Sequence, residues 1–222
     1  MQQENNKIHT VPILWASQQD GALVGDVISM KNYRQADFYV MIGATIGQAG
    51  AITFHKGTSV GGSPSTALAF TRRNETGFIL KYDGASVDTP AAAGETILGG
   101  SGAGRGTIVR DTGSELICYA YNGSTFVDNE TVTCSGGKTV VANGIQVNED
   151  ILVPVAVSGN TFNVDDVGYK LYHIPISADD LGDGYDCVEL NVADLNTTDL
   201  AAWVVLSGAR SIADIPETAI YD

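Results

Sequence analysis

The sequence contains little charge, and most of that charge has one sign. Its 222 residues include 12 Lys and Arg against 26 Asp and Glu, which gives a net charge of −14. Charged residues make up 17% of the chain, below the roughly 25% of an average globular domain, while 44% of the residues are hydrophobic. Disordered chains combine high charge with few apolar residues. The composition therefore excludes a disordered protein and predicts a folded one.

Clustered basic residues are also scarce. The only adjacent basic pair is Arg72-Arg73, whereas binding to nucleic-acid phosphates needs a basic patch. No apolar run approaches the roughly 18 residues that a membrane-spanning helix requires. The first residues, 1–7, lack the charged-then-apolar layout of a cleaved signal peptide. We therefore expect no nucleic-acid partner, no membrane partner and synthesis in the cytoplasm.

Cysteine is limited to Cys118, Cys134 and Cys187. An odd number in a chain without a leader peptide predicts reduced thiols. Cys118 and Cys134 are placed where they could face each other across a hairpin, and the sequence leaves open whether they pair.

Motifs for catalysis and cofactor binding are missing. The three histidines, His9, His55 and His173, have no adjacent Ser or Cys motif, and no G-x-S-x-G sequence occurs. The glycine-rich segment 99–106 does not fit the G-x-G-x-x-G spacing, and no helical pattern follows it. We expect no enzymatic activity and no cofactor.

Metal-binding patterns are equally sparse. No C-x-x-C or H-x-x-x-H spacing occurs. The acidic stretch 179–186 could wrap a calcium ion, but it lacks the ligand order of a calcium loop and its terminal bidentate Glu. We interpret this stretch as a polar connection between strands, and we expect no metal site.

The rest of the sequence consists mostly of short strand-like segments, which are separated by turn residues every 8–12 positions. Alternation is clear in segments such as 185–192, and no segment of 12 or more residues keeps a helical period with a cap. Ser177 is the predicted N-cap of one short turn over 177–181. The pattern predicts an all-β fold with a β-sandwich or barrel-like main domain.

Two breaks in the pattern predict the domain organisation. Residues 1–23 are predicted to be an extended N-terminal arm, because Pro12 disfavours a central strand. The main β-domain is predicted to span 24–104 and 149–222, with a small inserted β-module at 105–148 that begins after the glycine-rich segment, which is interpreted as a hinge. The candidate assembly contacts are the apolar residues of the arm: Ile8, Val11, Ile13, Leu14 and Trp15.

Particular stretches resemble virion proteins of tailed phages. The segment Gly-Asp-Val-Ile-Ser-Met-Lys-Asn-Tyr at 25–33 is similar to their opening "G-D-x-V-S-L-K-N-Y". The segment at 180–189 is similar to their closing "D-L-D-x-x-x-G-F-D-C-V-R". Within the inserted module, 106–109 and 135–139 resemble a β-module that recurs in phage structural proteins. Asn129 and Cys134 depart from that module's pattern, which usually has Gly at both positions.

These resemblances imply a structural role in a virion. The expected function is that of a capsid decoration or cement protein, which binds the major capsid protein and stabilises the lattice from the capsid exterior. The expected assembly is a homo-oligomer, with a trimer among the arrangements considered, because decoration sits on symmetry axes. The net charge favours the exterior, since a face toward the genome would be basic. A tail or head–tail connector component, a host-glycan-binding adhesin module built on Tyr119, Tyr121 and Phe126, and an enzyme acting on cell wall remain alternatives.

Overall fold

A computed structural model describes residues 8–18, 21–43, 49–87, 89–122, 124–143, 147–164, 170–196, 199–209 and 220–221. Strands dominate this part of the chain, which confirms the all-β prediction. The strands are β1 His9–Gln18, β2 Leu23–Val24, β3 Val27–Ser29, β4 Gln35–Ile42, β5 Gly50–Gly57, β6 Thr66–Ala67, β7 Arg72–Ala85, β8 Thr96–Gly99, β9 Arg105–Asp111, β10 Glu115–Tyr119, β11 Thr131–Cys134, β12 Thr139–Ala142, β13 Val147–Ala156, β14 Thr161–Val164, β15 Lys170–Ser177, β16 Cys187–Val192, β17 Asp199–Ser207 and β18 Ile220–Tyr221. The helix is α1 Ala178–Leu181.

The chain forms two compact units. The first comprises Met1–Arg73 with Ala156–Asp222, and the second is the continuous segment Asn74–Val155. Each unit has its own hydrophobic core. The second unit is larger than the predicted inserted module 105–148, because strands from outside that range complete its sheet.

The first unit is a β-sandwich. In one sheet, β1, β17, β4 and β15 lie side by side and antiparallel. In the other sheet, β14, β5, β16 and β3 follow one another, with β2 beside β16. The core contains side chains from both sheets, including Phe38 of β4 and Phe54 of β5, whose rings meet edge to face at 5.1 Å.

Alternation along the strands accounts for this packing. In β4, Ala36, Phe38, Val40 and Ile42 are buried, while the intervening residues face outward. A strand turns successive side chains to opposite faces, so an apolar residue at every second position buries one face of the sheet. Strand β17 has the same period, which fixes its register against β4.

The second unit is a closed β-barrel. Its strands run in the order β7, β10, β9, β8, β11 and β12, each antiparallel to the next, and β12 pairs back with β7. Closure of this kind leaves no free edge around the ring. Because β7 and β8 supply two of the six strands of the barrel, residues 105–148 alone do not complete it.

The glycine-rich segment predicted to be a hinge is tightly packed. Glu130 accepts hydrogen bonds from the Ser101 amide at 2.8 Å, the Ser101 hydroxyl at 3.0 Å, the Gly102 amide at 3.0 Å and the Val127 amide at 2.6 Å. A side chain at Gly104 would collide with the Phe126 ring. The glycines allow close approach of the backbone to these groups, so the structure does not support the interpretation as a hinge.

The predicted arm contains an edge strand of the sandwich. Strand β1 pairs along its length with β17, and its inward residues Val11 and Ile13 are buried in the core of their own unit. Pro12 is tolerated because an edge strand has one side without a ladder partner. Positions 1–7 and 19–20 of the predicted arm lie outside the described residues.

Candidate functional site

The most distinctive surface of the sandwich is the outward side of β1, β17, β4 and β15. We call it the outer face and define it by eleven residues. They are Thr10, Pro12, Asp37, Tyr39, Met41, Leu171, His173, Pro175, Ala201, Trp203 and Val205, all of which are exposed or half-buried. Their neighbours along each strand belong to the core, so strand alternation turns these eleven side chains outward.

An aromatic row crosses the middle of the outer face. Pro12 pairs with Trp203, Trp203 with Tyr39, and Tyr39 with His173, on four successive strands. The Tyr39 ring stacks on Trp203 at 5.4 Å between centroids and on His173 at 4.8 Å. Cross-strand aromatic pairs of this kind stabilise a sheet. Because the rings cover each other's faces, Tyr39 has no free ring face to offer to a flat ligand such as a sugar.

Charge is scarce on the outer face. Asp37 is the only acidic side chain among the eleven residues, and its Oδ1 lies 2.8 Å from His173 Nε2. Burial and then the negative charge of Asp37 raise the pKa of the Tyr39 phenol. Asp199, the first residue of β17, is a further exposed acidic residue at an outward position of the same sheet. Met41 is 48% exposed on the outer face.

The edge strand β1 and the residue before it add two large apolar side chains. Trp15 is 78% exposed and Ile8 is 65% exposed. Of the five predicted assembly residues, these two are accessible, Leu14 is half-buried against the core, and Val11 and Ile13 are buried. Three of the five predicted residues therefore pack in or against the core, and two are accessible to a partner.

The barrel contains a buried ion pair that sequence reasoning missed. Lys138 Nζ lies 2.7 Å from Asp111 Oδ2, and the two side chains are 6% and 0% exposed. Tyr82 donates its hydroxyl to Asp111 Oδ1 at 2.7 Å, and the Ala91 amide donates to Oδ2 at 2.8 Å. Burial alone opposes ionisation of Asp111, but these hydrogen bonds outweigh it and lower its pKa from 3.8 to about 2.

The same network holds Lys138 in its charged form. Desolvation lowers the pKa of Lys138, but the hydrogen bond to Asp111 outweighs that effect, so that the pKa is raised overall. A carboxylate and an ammonium that both keep their charges near neutral pH are poor general acids and bases. The pair is therefore suited to holding the end of β9 to the residue that precedes β12.

The acidic stretch 179–186 is organised by local hydrogen bonds. Ser177 caps helix α1, as predicted, in a capping box with Asp180. The carboxylate of Asp186 accepts a hydrogen bond from the Cys187 thiol at 3.0 Å. Among the described residues, no group of three or more His, Cys, Asp or Glu side chains is placed to hold a metal ion.

The cysteines are free and buried, as predicted for reduced thiols. Burial raises the pKa of Cys134 to about 11 and that of Cys187 to about 12, and it raises the pKa of Cys118 as well. Thiols with raised pKa values are poor nucleophiles, so none of the three is a catalytic candidate.

The ring cluster considered for glycan binding belongs to the barrel core. Phe126 is buried and stacks on Phe78 at 5.9 Å, and Tyr121 contacts the same Phe78 ring at 5.1 Å. Tyr119, on β10, is half-buried. These rings do not form an exposed platform for a sugar.

A surface cavity of about 240 Å³ lies beside the loop between β5 and β6. Glycine and hydroxyl-bearing residues line most of it, together with Lys56 and Tyr185. No carboxylate lines this cavity, so it lacks the acid pair that a glycosidase needs.

In the described residues, no helix has the length and apolarity needed to cross a membrane.

The aromatic row on the outer face was not singled out from the sequence. Tyr39, His173 and Trp203 are 30 to 164 residues apart along the chain, and only the strand register brings them together. The sequence does carry one signal for this row, since β4, β15 and β17 each have a ring-bearing residue at an outward position.

Comparison of the chain with family models, curated proteins and solved structures finds no match in any of the three.

Proposed function

We propose that the chain is a structural component of a tailed-phage particle that decorates the capsid. In this proposal the outer face and the exposed residues of β1 bind the major capsid protein on the outside of the shell. The sequence resemblance at 25–33 and 180–189 supports the virion role. The protein acts by covering seams between subunits and has no catalytic step.

The observation that carries the proposal is the accessible apolar surface on one charge-poor side of the sandwich. Trp15, Ile8 and Met41 are large apolar side chains that are 48% to 78% exposed. Large apolar side chains that are exposed on one face of a domain are typical of an interaction site. At about 25 cal/mol per Å², burying a few hundred Å² contributes several kcal/mol for each copy bound.

The low charge of the outer face suits a protein partner. Among the eleven residues of the outer face, Asp37 is the only acidic one, and it is already paired with His173. Burying unpaired charge is costly, so docking on these eleven residues leaves the exposed Asp199 at the start of β17 as the group to keep at the rim. We also propose that the protein assembles as a homo-oligomer, with a trimer as the first arrangement to test by sedimentation.

The test is a titration of the purified protein onto capsids made without it, scored by binding and by heat resistance of the shell. We expect the wild type to bind and to raise the disruption temperature. Trp15→Ser and Met41→Ser should each weaken binding at least about tenfold, because large apolar anchors dominate interfaces. Leu98→Ser and Val127→Ser, at barrel positions that are 45% and 46% exposed, are the matched controls.

Other outcomes would redirect the proposal. Failure to bind or stabilise any capsid form would refute the decoration role. Microscopy that locates the protein on the tail or connector would support that alternative. Equal binding by wild type, Trp15→Ser and Met41→Ser would refute the outer face as the contact surface, even if decoration itself were observed.

A further inference from the structure

Glu189 is a buried carboxylate with few partners. It is 7% exposed, and among the described residues its carboxylate accepts one hydrogen bond, from Asn191 Nδ2 to Oε1 at 3.1 Å. Glu130 has the same exposure but accepts four hydrogen bonds, and Asp111 has both Lys138 and hydrogen bonds. A carboxylate with so little exposure gains from a counter-charge, so the site of Glu189 can accept a positive charge.

The nearest lysine along the adjacent strand does not supply that charge. Lys56 follows His55 on β5, so its side chain lies on the opposite face of the sheet from His55. Its ammonium donates to the Leu181 carbonyl at 2.5 Å and lies 4.5 Å from the centre of the Tyr185 ring. Lys56 is therefore not the counter-ion of Glu189.

Two nitrogen-bearing side chains lie beside Glu189. His55 is its register partner on β5, and Asn191 lies two residues further along β16 on the same face. The Asn191 Nδ2 atom is 2.9 Å from His55 Nδ1 and 3.1 Å from Glu189 Oε1. An imidazole nitrogen and a carboxylate oxygen thus both lie about 3 Å from the side-chain amide of Asn191.

The amide of Asn191 can present its oxygen at that point. In the orientation described, Oδ1 is buried and has no hydrogen-bond partner among the described residues. Rotation of the amide by half a turn exchanges Oδ1 and Nδ2. Oδ1 would then face His55 Nδ1 and Glu189 Oε1, at about 3 Å from each. That is the separation of adjacent ligands about 2.1 Å from one metal ion at angles near 90°, as in octahedral coordination.

We propose that His55, Glu189 and Asn191 bind a divalent transition-metal ion. One imidazole nitrogen with two oxygen donors suits Zn²⁺ or Mn²⁺ better than Ca²⁺ or Mg²⁺, which take oxygen ligands. The ion would neutralise the buried carboxylate and link β5 to β16 across the centre of their sheet. Water would fill the remaining coordination positions.

The experiment uses the full chain without an affinity tag, treated with a chelator and dialysed. Addition of Zn²⁺ or Mn²⁺ should raise the unfolding temperature and titrate with one ion per chain, since a ligand of the folded state stabilises it. Ca²⁺ at the same concentration should leave that temperature unchanged. Glu189→Gln and His55→Gln should each weaken metal binding at least about tenfold. His173→Gln, which alters the half-buried histidine that is paired with Asp37, is the matched control and should bind as the wild type does.

A second measurement on the unmodified protein covers the possibility that a variant misfolds. Substoichiometric Mn²⁺ should broaden the nuclear magnetic resonance signals of the His55 ring and the Asn191 side-chain amide before others. Absence of one-to-one binding up to millimolar metal, broadening centred on another site, or wild-type affinity in Glu189→Gln would each overturn the proposal. The proposal is independent of capsid binding, because the site and the outer face lie on different sheets.

Discussion

At the scale of single residues, the Asp111–Lys138 pair makes the barrel sensitive to acid. The folded-state pKa of Asp111 is about 2, below its ordinary value of 3.8. A carboxyl whose pKa is lowered by folding stabilises the protein above the unfolded-state pKa, and it loses that contribution as the pH falls through the folded-state value. The contribution is about 2 kcal/mol and disappears between about pH 4 and pH 2.

Asp111→Asn should therefore destabilise the protein at neutral pH by about 3–5 kcal/mol, because it leaves the Lys138 charge buried without a partner. Urea unfolding at pH 7, 4 and 2 measures the loss, and the variant should show a smaller difference between pH 4 and pH 2 than the wild type. Glu115→Gln is the control, since Glu115 forms an exposed 4.0 Å pair with Lys81. That change should shift stability by about 0.5 kcal/mol or less. Equal effects of the two substitutions would contradict the role of the buried pair.

Glu130 makes a separate residue-scale prediction. Its two oxygens accept from three backbone amides and one hydroxyl, and these bonds lower its pKa although burial opposes ionisation. Glu130→Gln would place an amide NH₂ against at least one N–H donor, at a cost of about 1–3 kcal/mol. Hydrogen exchange should show faster exchange of the Ser101, Gly102 and Val127 amides. Unchanged protection of all three would argue against Glu130 as the group that holds this segment.

At the scale of elements, glycine is required where β9 crosses the Phe78 ring. A Cβ atom at Gly106 would lie 2.5 Å from Phe78 Cζ, and Phe78 is buried. Gly106→Ala should cost about 1–3 kcal/mol, because the ring has to shift in a packed core. Gly84→Ala on β7 is the control, since a Cβ there meets nothing within 4 Å. It should be neutral or stabilise by about 0.4–1 kcal/mol, as thermal unfolding would show. A stable Gly106→Ala protein would indicate that the ring relocates freely.

The elements also show which parts of the fold can be predicted from the sequence. Strand positions such as β16 are predictable, because alternation and turn residues are local signals. Pairing is not local: β8 lies between β9 and β11, and β7 closes the barrel against β12. The barrel therefore extends beyond the predicted module 105–148. In the same way, β1 pairs with β17, which lies about 190 residues away along the chain. The candidate sites could not be predicted from the sequence for the same reason, because the aromatic row and the group around Glu189 each join residues from strands that are distant along the chain.

At the scale of the whole molecule, the barrel should be separable. Residues 74–155 form one continuous unit, with a core of their own and with Asp111, Lys138 and Glu130 all inside it. Strand β13 pairs with β7 near the two ends of the unit, and Val153 lies against Gly77. Close termini are typical of an inserted domain that folds alone.

The fragment 74–155 should therefore unfold in one cooperative thermal transition and keep the near-ultraviolet circular dichroism of packed aromatic rings. Asp111→Asn should destabilise the fragment by the same free energy as in the full chain, because every partner of the pair lies within these residues. The shorter fragment 105–148 is the control and should not fold, since it lacks β7 and β8. A non-cooperative transition in 74–155, or a folded 105–148, would show that the barrel closes differently from the strand order described here.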